Sequence, residues 1–106
     1  RVEMRVPGSD ANPYLAIAAS LAAGLHGIKN KIQAPPPVKG NAYLENLESL
    51  PNNLHEATEI MAKSALAKEL FGADFVDHFV NTRRWEVRQY LKAVTDWELN
   101  RYFELI

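Results

Sequence analysis

The feature that most constrains the fold is an alanine-rich helical pattern near the beginning of the chain. Asn12 precedes Pro13, and asparagine followed by proline in the first helical position is a strong helix start. Apolar residues then recur every three or four positions, as on one face of a helix: Tyr14, Ala18, Leu21, Leu25, Ile28 and Ile32. Alanine and glycine surround this stripe, so we predict a helix that other elements approach closely on more than one side.

Ahead of this helix, charged and apolar residues alternate strictly in RVEMR, residues 1–5. Arg1, Glu3 and Arg5 fall on one side and Val2 and Met4 on the other, which predicts a strand with one apolar face. A single strand needs a partner strand for its backbone hydrogen bonds. The chain also begins without methionine. We therefore expect it to be a piece of a longer protein.

A long loop and two short helices follow the alanine-rich helix. Residues 33–53 contain four of the six prolines of the chain and show little periodicity, which is typical of a long surface loop. We predict one helix over residues 54–64, with Asn52 or Asn53 as its N-cap, and another over residues 65–71. The second ends at Gly72, because glycine is the usual residue after a helix.

The last element is predicted to be one long helix of about 30 residues, since no glycine or proline follows Gly72. It begins near Asp74, and we predict a bend at residues 81–82. The predicted fold class is therefore α+β, with one N-terminal strand followed by mostly α-helices. All 106 residues are assigned to one incomplete domain.

Composition excludes several classes of function. There is no cysteine, which excludes a disulfide framework and any thiolate nucleophile or thiolate metal site. The formal net charge is −1, so charge favours neither a nucleic acid nor an anionic membrane as a partner. The longest apolar stretch is shorter than the roughly 20 residues that span a membrane. We expect a cytoplasmic protein.

Glu3 and Arg5 are the first candidates for chemistry, because their side chains share one face of the predicted strand. A carboxylate can bind a hard divalent cation, and an arginine beside it can hold a phosphate or a carboxylate. The same spacing also fits a solvated ladder of ion pairs. One carboxylate does not make a metal site, so spacing alone favours the ladder.

Two histidine–carboxylate pairs have helical spacing, His55 with Glu59 and Asp74 with His78. Either pair could present two metal ligands. Neither has a third ligand nearby in the sequence, so we favour hydrogen bonding on a helix surface for both.

TRRWEVR, residues 82–88, places Arg84 and Arg88 one helical turn apart beside Trp85. Basic and aromatic residues combined in this way occur on nucleic-acid-binding surfaces. Acidic residues are interspersed along the same segment, so we predict a solvated face with ion pairing instead.

The stretch RVEMRVPGSDANPYLAIAASLAAGLHGI resembles the C-terminal part of the glutamine synthetase catalytic domain. That family has a strand R-[IV]-E-x-R, then P-[GD]-x-x-ANPYLA, then an alanine-rich helix that ends in G-[LM]-x-G-[IL]. The matching residues are Arg1, Val2, Glu3, Arg5, Pro7, Gly8, Ala11, Asn12, Pro13, Tyr14, Leu15, Ala16, Gly24, Leu25, Gly27 and Ile28. The resemblance is strong over residues 1–32 and rests on helical layout and length thereafter.

The resemblance implies roles for two residues. Glu3 matches a glutamate that coordinates one of two catalytic divalent metal ions, Mg²⁺ or Mn²⁺, the one associated with ATP. Arg5 matches an arginine that contacts the side-chain carboxylate of the substrate glutamate and the phosphoryl group transferred to it. Arg5 would thus be both a catalytic and a substrate-binding residue.

The function implied is that of a segment of an ATP-dependent glutamate–ammonia or glutamate–amine ligase, which forms a γ-glutamyl amide through a γ-glutamyl phosphate. PGSDANPYL is more similar to the branch that uses amines, such as γ-glutamylpolyamine synthetases. The family also implies a ring-shaped homo-oligomer. The other metal ligands lie upstream in this family, so we expect the chain alone to be inactive. The alternative is a non-catalytic helical structural or interaction module derived from the same scaffold.

Overall fold

The computed structural model describes residues 3–41 and 49–103. The chain divides into two compact units, Arg1–Leu47 and Glu48–Ile106. No helix in the described ranges is both long enough and apolar enough to cross a membrane.

The helix of the first unit, α1, runs over Pro13–Lys29. The Oδ1 atom of Asn12 accepts hydrogen bonds from the backbone N–H groups of Tyr14 and Leu15, at 3.0 and 3.3 Å. The helix ends where Lys31 adopts a positive φ of 51°, a conformation that commonly terminates helices. The predicted helix and its Asn-Pro start are confirmed.

The apolar side chains of α1 are largely exposed in the described structure. None of its residues is buried, and Leu21 and Leu25 are 63% and 66% exposed. The close packing that we predicted on more than one side of this helix is therefore not present within the described ranges.

The predicted N-terminal strand and the α+β fold class are wrong. Residues 3–41 and 49–103 contain α-helices and loops but no strand. Arg1 and Val2 lie outside the described residues, and residues 3–5 are exposed and irregular. Alternation determines which side chains would share a face, but a strand forms only when its backbone groups pair with a second strand. No described segment offers that pairing.

Four helices are described in the second unit: α2 (Leu54–Lys63), α3 (Ala65–Phe71), α4 (Ala73–Tyr90) and α5 (Asp96–Tyr102). Asn53 caps α2 by accepting a hydrogen bond from the backbone N–H of Glu56 at 2.9 Å. The side chain of Ser64 caps α3, and α3 ends at Gly72, whose φ of 85° favours glycine. The two short predicted helices are confirmed to within one residue.

The single long helix predicted after Gly72 is wrong, because the chain forms α4 and α5 with a break at residues 91–95. Thr95 and Glu98 form a capping box there. The backbone N–H of Thr95 donates to Glu98 Oε2 at 2.8 Å, and the backbone N–H of Glu98 donates to Thr95 Oγ1 at 3.2 Å. These reciprocal bonds satisfy donors at a new helix start. The helix is continuous at residues 81–82, where a bend was predicted.

A small core holds the second unit together. Val76 and Val80 of α4 are 0% and 3% exposed, and Thr58 of α2 is 3% exposed. The buried hydroxyl of Thr58 donates a hydrogen bond to the Leu54 carbonyl at 2.6 Å, which satisfies its polar atom. Helix α4 packs against both α2 and α3. The core therefore holds α2 and α4 in place, so that side chains on their facing sides come into contact.

Candidate functional site

Glu3 and Arg5, the residues singled out from the sequence, are in direct contact. The Nε–H of Arg5 donates to Glu3 Oε1 at 2.6 Å. The side chains of Arg5 and Glu3 are 84% and 64% exposed. The pair lies on an irregular segment, and Arg5 is eight positions before Pro13, the first residue of α1. Contact between the two residues therefore does not depend on a strand.

An exposed ion pair of this kind contributes little to stability, because water screens it and two flexible side chains must be held in place. Its groups are consequently accessible to a ligand. One of the five guanidinium N–H groups of Arg5 donates a hydrogen bond to Glu3. The remaining N–H groups suit the oxygens of a phosphate or carboxylate.

Glu3 does not form a divalent metal site by itself. Mg²⁺ requires near-octahedral coordination, usually by one or two carboxylates together with waters and phosphate oxygens. Within residues 3–41 and 49–103, no group of three or more acidic or histidine side chains could hold a metal ion. The described residues do not fit a complete metal site, and Glu3 can act only as one ligand among others.

A second charged pair, which the sequence did not predict, joins α2 to α4. Arg84 donates to Glu59 through two bonds, Nε to Oε1 at 2.8 Å and Nη2 to Oε2 at 2.9 Å. The Arg84 and Glu59 side chains are 41% and 30% exposed. The hydrogen bonds from Arg84 lower the pKa of Glu59 below its ordinary value, and the same contact raises the pKa of Arg84. This geometry holds two helices together and leaves little of Glu59 for a ligand.

The pairing of Glu59 with Arg84 bears on two interpretations of the sequence. Arg84 of the basic segment at residues 82–88 does form an ion pair, but with Glu59 of α2 and not with an acidic residue of its own segment, as was predicted. The alternative of a metal site at His55 and Glu59 gains no support, because Glu59 is engaged by Arg84. The residues of the pair are 25 positions apart in the chain, and no local pattern predicts such a contact.

A groove of about 900 Å³ lies between α2 and α4 beside this ion pair. Its apolar wall includes Leu54, Val87 and Leu91, and its charged residues include Glu86 and Arg88. The volume of the groove exceeds that of a gap between packed side chains and lies within the range of known ligand-binding sites. Its walls belong to the second unit and do not include Glu3 or Arg5.

Comparison with known proteins identifies relatives of the whole chain. The family model described as "Glutamine synthetase, catalytic domain" matches residues 1–102. The chain is 53% identical along its entire length to type-1 glutamine synthetase 2 of Dictyostelium discoideum, of which it covers 21%. It is 49% identical over 98% of its length to a γ-glutamylethanolamide synthetase of Streptomyces coelicolor, of which it covers 22%. It is 45% identical along its entire length to a glutamate–isopropylamine ligase of a Pseudomonas species, of which it covers 24%.

These matches confirm the resemblance drawn from residues 1–32 and extend it over the helical remainder of the chain. The chain spans about a fifth to a quarter of the length of these relatives.

Proposed function

Because the chain belongs to the glutamine synthetase catalytic-domain family, we propose that it is a segment of an ATP-dependent ligase that joins glutamate to ammonia or an amine. The observation that carries this proposal is sequence identity of 45–53% along essentially the whole chain to proteins named as ligases of this kind. The match includes the segment that contains Glu3 and Arg5.

The proposed reaction has two steps. An oxygen of the glutamate side-chain carboxylate attacks the γ-phosphorus of ATP, a new O–P bond forms, and ADP leaves with the electrons of the broken P–O bond. The nitrogen of ammonia or the amine then attacks the acyl carbon of the γ-glutamyl phosphate. The attacking nitrogen loses a proton, and phosphate leaves the acyl carbon. The product is the γ-glutamyl amide.

Arg5 is proposed to bind the substrate carboxylate and the phosphoryl oxygens on which charge develops during the first step. Guanidinium N–H groups aimed at such oxygens stabilise the transition state most where water is excluded. Arg5 is highly exposed in the described structure, so this role requires substrate and neighbouring protein to cover it. The contact with Glu3 at 2.6 Å supports a shared role for the two side chains.

Glu3 is proposed as one ligand of a divalent metal ion, Mg²⁺ or Mn²⁺. When bound, such an ion neutralises charge on the phosphoryl oxygens of ATP. The remaining ligands would have to come from parts of the protein other than residues 3–41 and 49–103, because these ranges do not complete a site.

An organic amine is proposed as the acceptor in preference to ammonia. One relative is named as a γ-glutamylethanolamide synthetase and another as a glutamate–isopropylamine ligase. The PGSDANPYL segment is also more similar to the amine-using branch. A ring-shaped homo-oligomer remains a prediction drawn from the family resemblance, and a cytoplasmic location remains a prediction drawn from composition.

The test is a panel of acceptors assayed on the full-length protein. Phosphate release from ATP would be measured with glutamate and with ammonia, short alkylamines, ethanolamine or a polyamine, and the γ-glutamyl product identified by mass spectrometry. We expect release that requires glutamate, ATP and a divalent metal ion, and that is faster with one of the organic amines than with ammonia. Matched reactions without glutamate or with a chelator are the controls.

Three outcomes are distinguishable in this panel. Product with ammonia but with no organic amine would contradict the proposed acceptor and leave the ligase assignment in place. No product with any acceptor, from a protein that is folded and assembled, would favour the non-catalytic structural or interaction module. Phosphate release without glutamate would contradict the ligase assignment.

A further inference from the structure

We draw no further inference here: the strongest candidate, the groove between α2 and α4, carries none, because nothing in the described part of the structure shows what covers its apolar wall.

Discussion

The two units of the chain contain helices that are held in different ways. In the first unit, α1 has a capped start and a defined end, yet none of its residues is buried. In the second unit, α4 buries Val76 and Val80 and packs against α2 and α3. Local hydrogen bonds are sufficient to define where a helix starts and ends, whereas burial of apolar side chains provides most of its stability. We therefore expect α1 to be less stable than α4 in this chain.

The charged pairs of the two units differ in the same way. Glu3 and Arg5 are two positions apart and mostly exposed. Glu59 and Arg84 are 25 positions apart, doubly hydrogen-bonded and half-buried, with shifted pKa values. The first pair is accessible to a substrate, and the second is occupied in joining two helices. Catalytic effects should therefore concentrate in the first unit and effects on folding stability in the second.

The largest expected effect is the loss of activity on replacing Glu3 or Arg5 in the full-length protein. We expect Glu3→Ala and Arg5→Ala each to reduce the rate of γ-glutamyl phosphate formation by a factor on the order of 100 to 1,000, as is typical when one group stabilising developing charge is removed. Arg5→Lys should also be impaired, because lysine lacks the planar guanidinium fork. Rapid-quench measurement of ADP formation tests this.

Glu69→Ala and Arg101→Ala are the matched controls, since both residues are exposed and lie in helices of the second unit. We expect these two variants to retain the parental rate. Parental rates in Glu3→Ala and Arg5→Ala would show that the first unit does not contain the proposed catalytic pair.

The second prediction compares one apolar truncation in each unit of the 106-residue chain. Val76→Ala should lower the free energy of unfolding by about 2 kcal/mol, because it removes fully buried methyl groups. Leu21→Ala should lower it by less than about 0.5 kcal/mol, because Leu21 is 63% exposed. Urea unfolding followed by circular dichroism measures both. A larger loss at Leu21 would mean that α1 packs against a surface beyond its described contacts.

The third prediction concerns two asparagine N-caps, Asn12 of α1 in the first unit and Asn53 of α2 in the second. Asn12→Ala and Asn53→Ala should each cost about 1 kcal/mol of local helix stability. In α1, hydrogen exchange should accelerate at Tyr14 and Leu15, whose N–H groups are released, and along the rest of the helix, because no buried contact restrains it. In α2, faster exchange should be confined to the first turn around Glu56. If hydrogen exchange accelerated over an equal length of both helices, the proposed difference between the units would be contradicted.

The fourth and smallest effect is the pH dependence of the ion pair between α2 and α4. Because Arg84 lowers the pKa of Glu59 in the folded state, the ionised pair stabilises folding above the ordinary carboxyl pKa of about 4.3. This contribution is lost as the pH falls through the lowered pKa of the folded state. The thermal midpoint of Glu59→Gln should therefore lie below that of the parent at neutral pH and approach it in acid.

Glu69→Gln provides the control for this titration, since Glu69 is an exposed carboxylate in the neighbouring helix α3. Its thermal midpoint should follow that of the parent at every pH. A difference between Glu59→Gln and the parent that persists unchanged at low pH would show that ionisation of Glu59 does not stabilise the fold.

Several features of the fold were predictable because their causes are local. The starts of α1 and α2 follow from Asn12 with Pro13 and from Asn53, and the end of α3 follows from Gly72. The family was predictable as well, because its motif lies in one continuous stretch. The start of α5 had a local signal, threonine followed three positions later by glutamate. Apolar spacing alone does not reveal this start.

The incorrect prediction of a strand and the unmet prediction of a closely packed α1 have a different cause, since both depend on what a segment meets in three dimensions. The alternation at residues 1–5 predicted a strand, but a strand requires a partner, and the described residues provide none. The apolar stripe of α1 predicted burial, yet the buried valines lie in α4.

The sequence by itself determined the helix boundaries marked by local caps, the family, and the proximity of Glu3 to Arg5 through a spacing of two residues. Only the tertiary structure decided which apolar residues form the core and that Glu59 meets Arg84. Caps and short spacings act within a few bonds along the chain. Burial and the pairing of distant charges depend on how complete helices pack against each other.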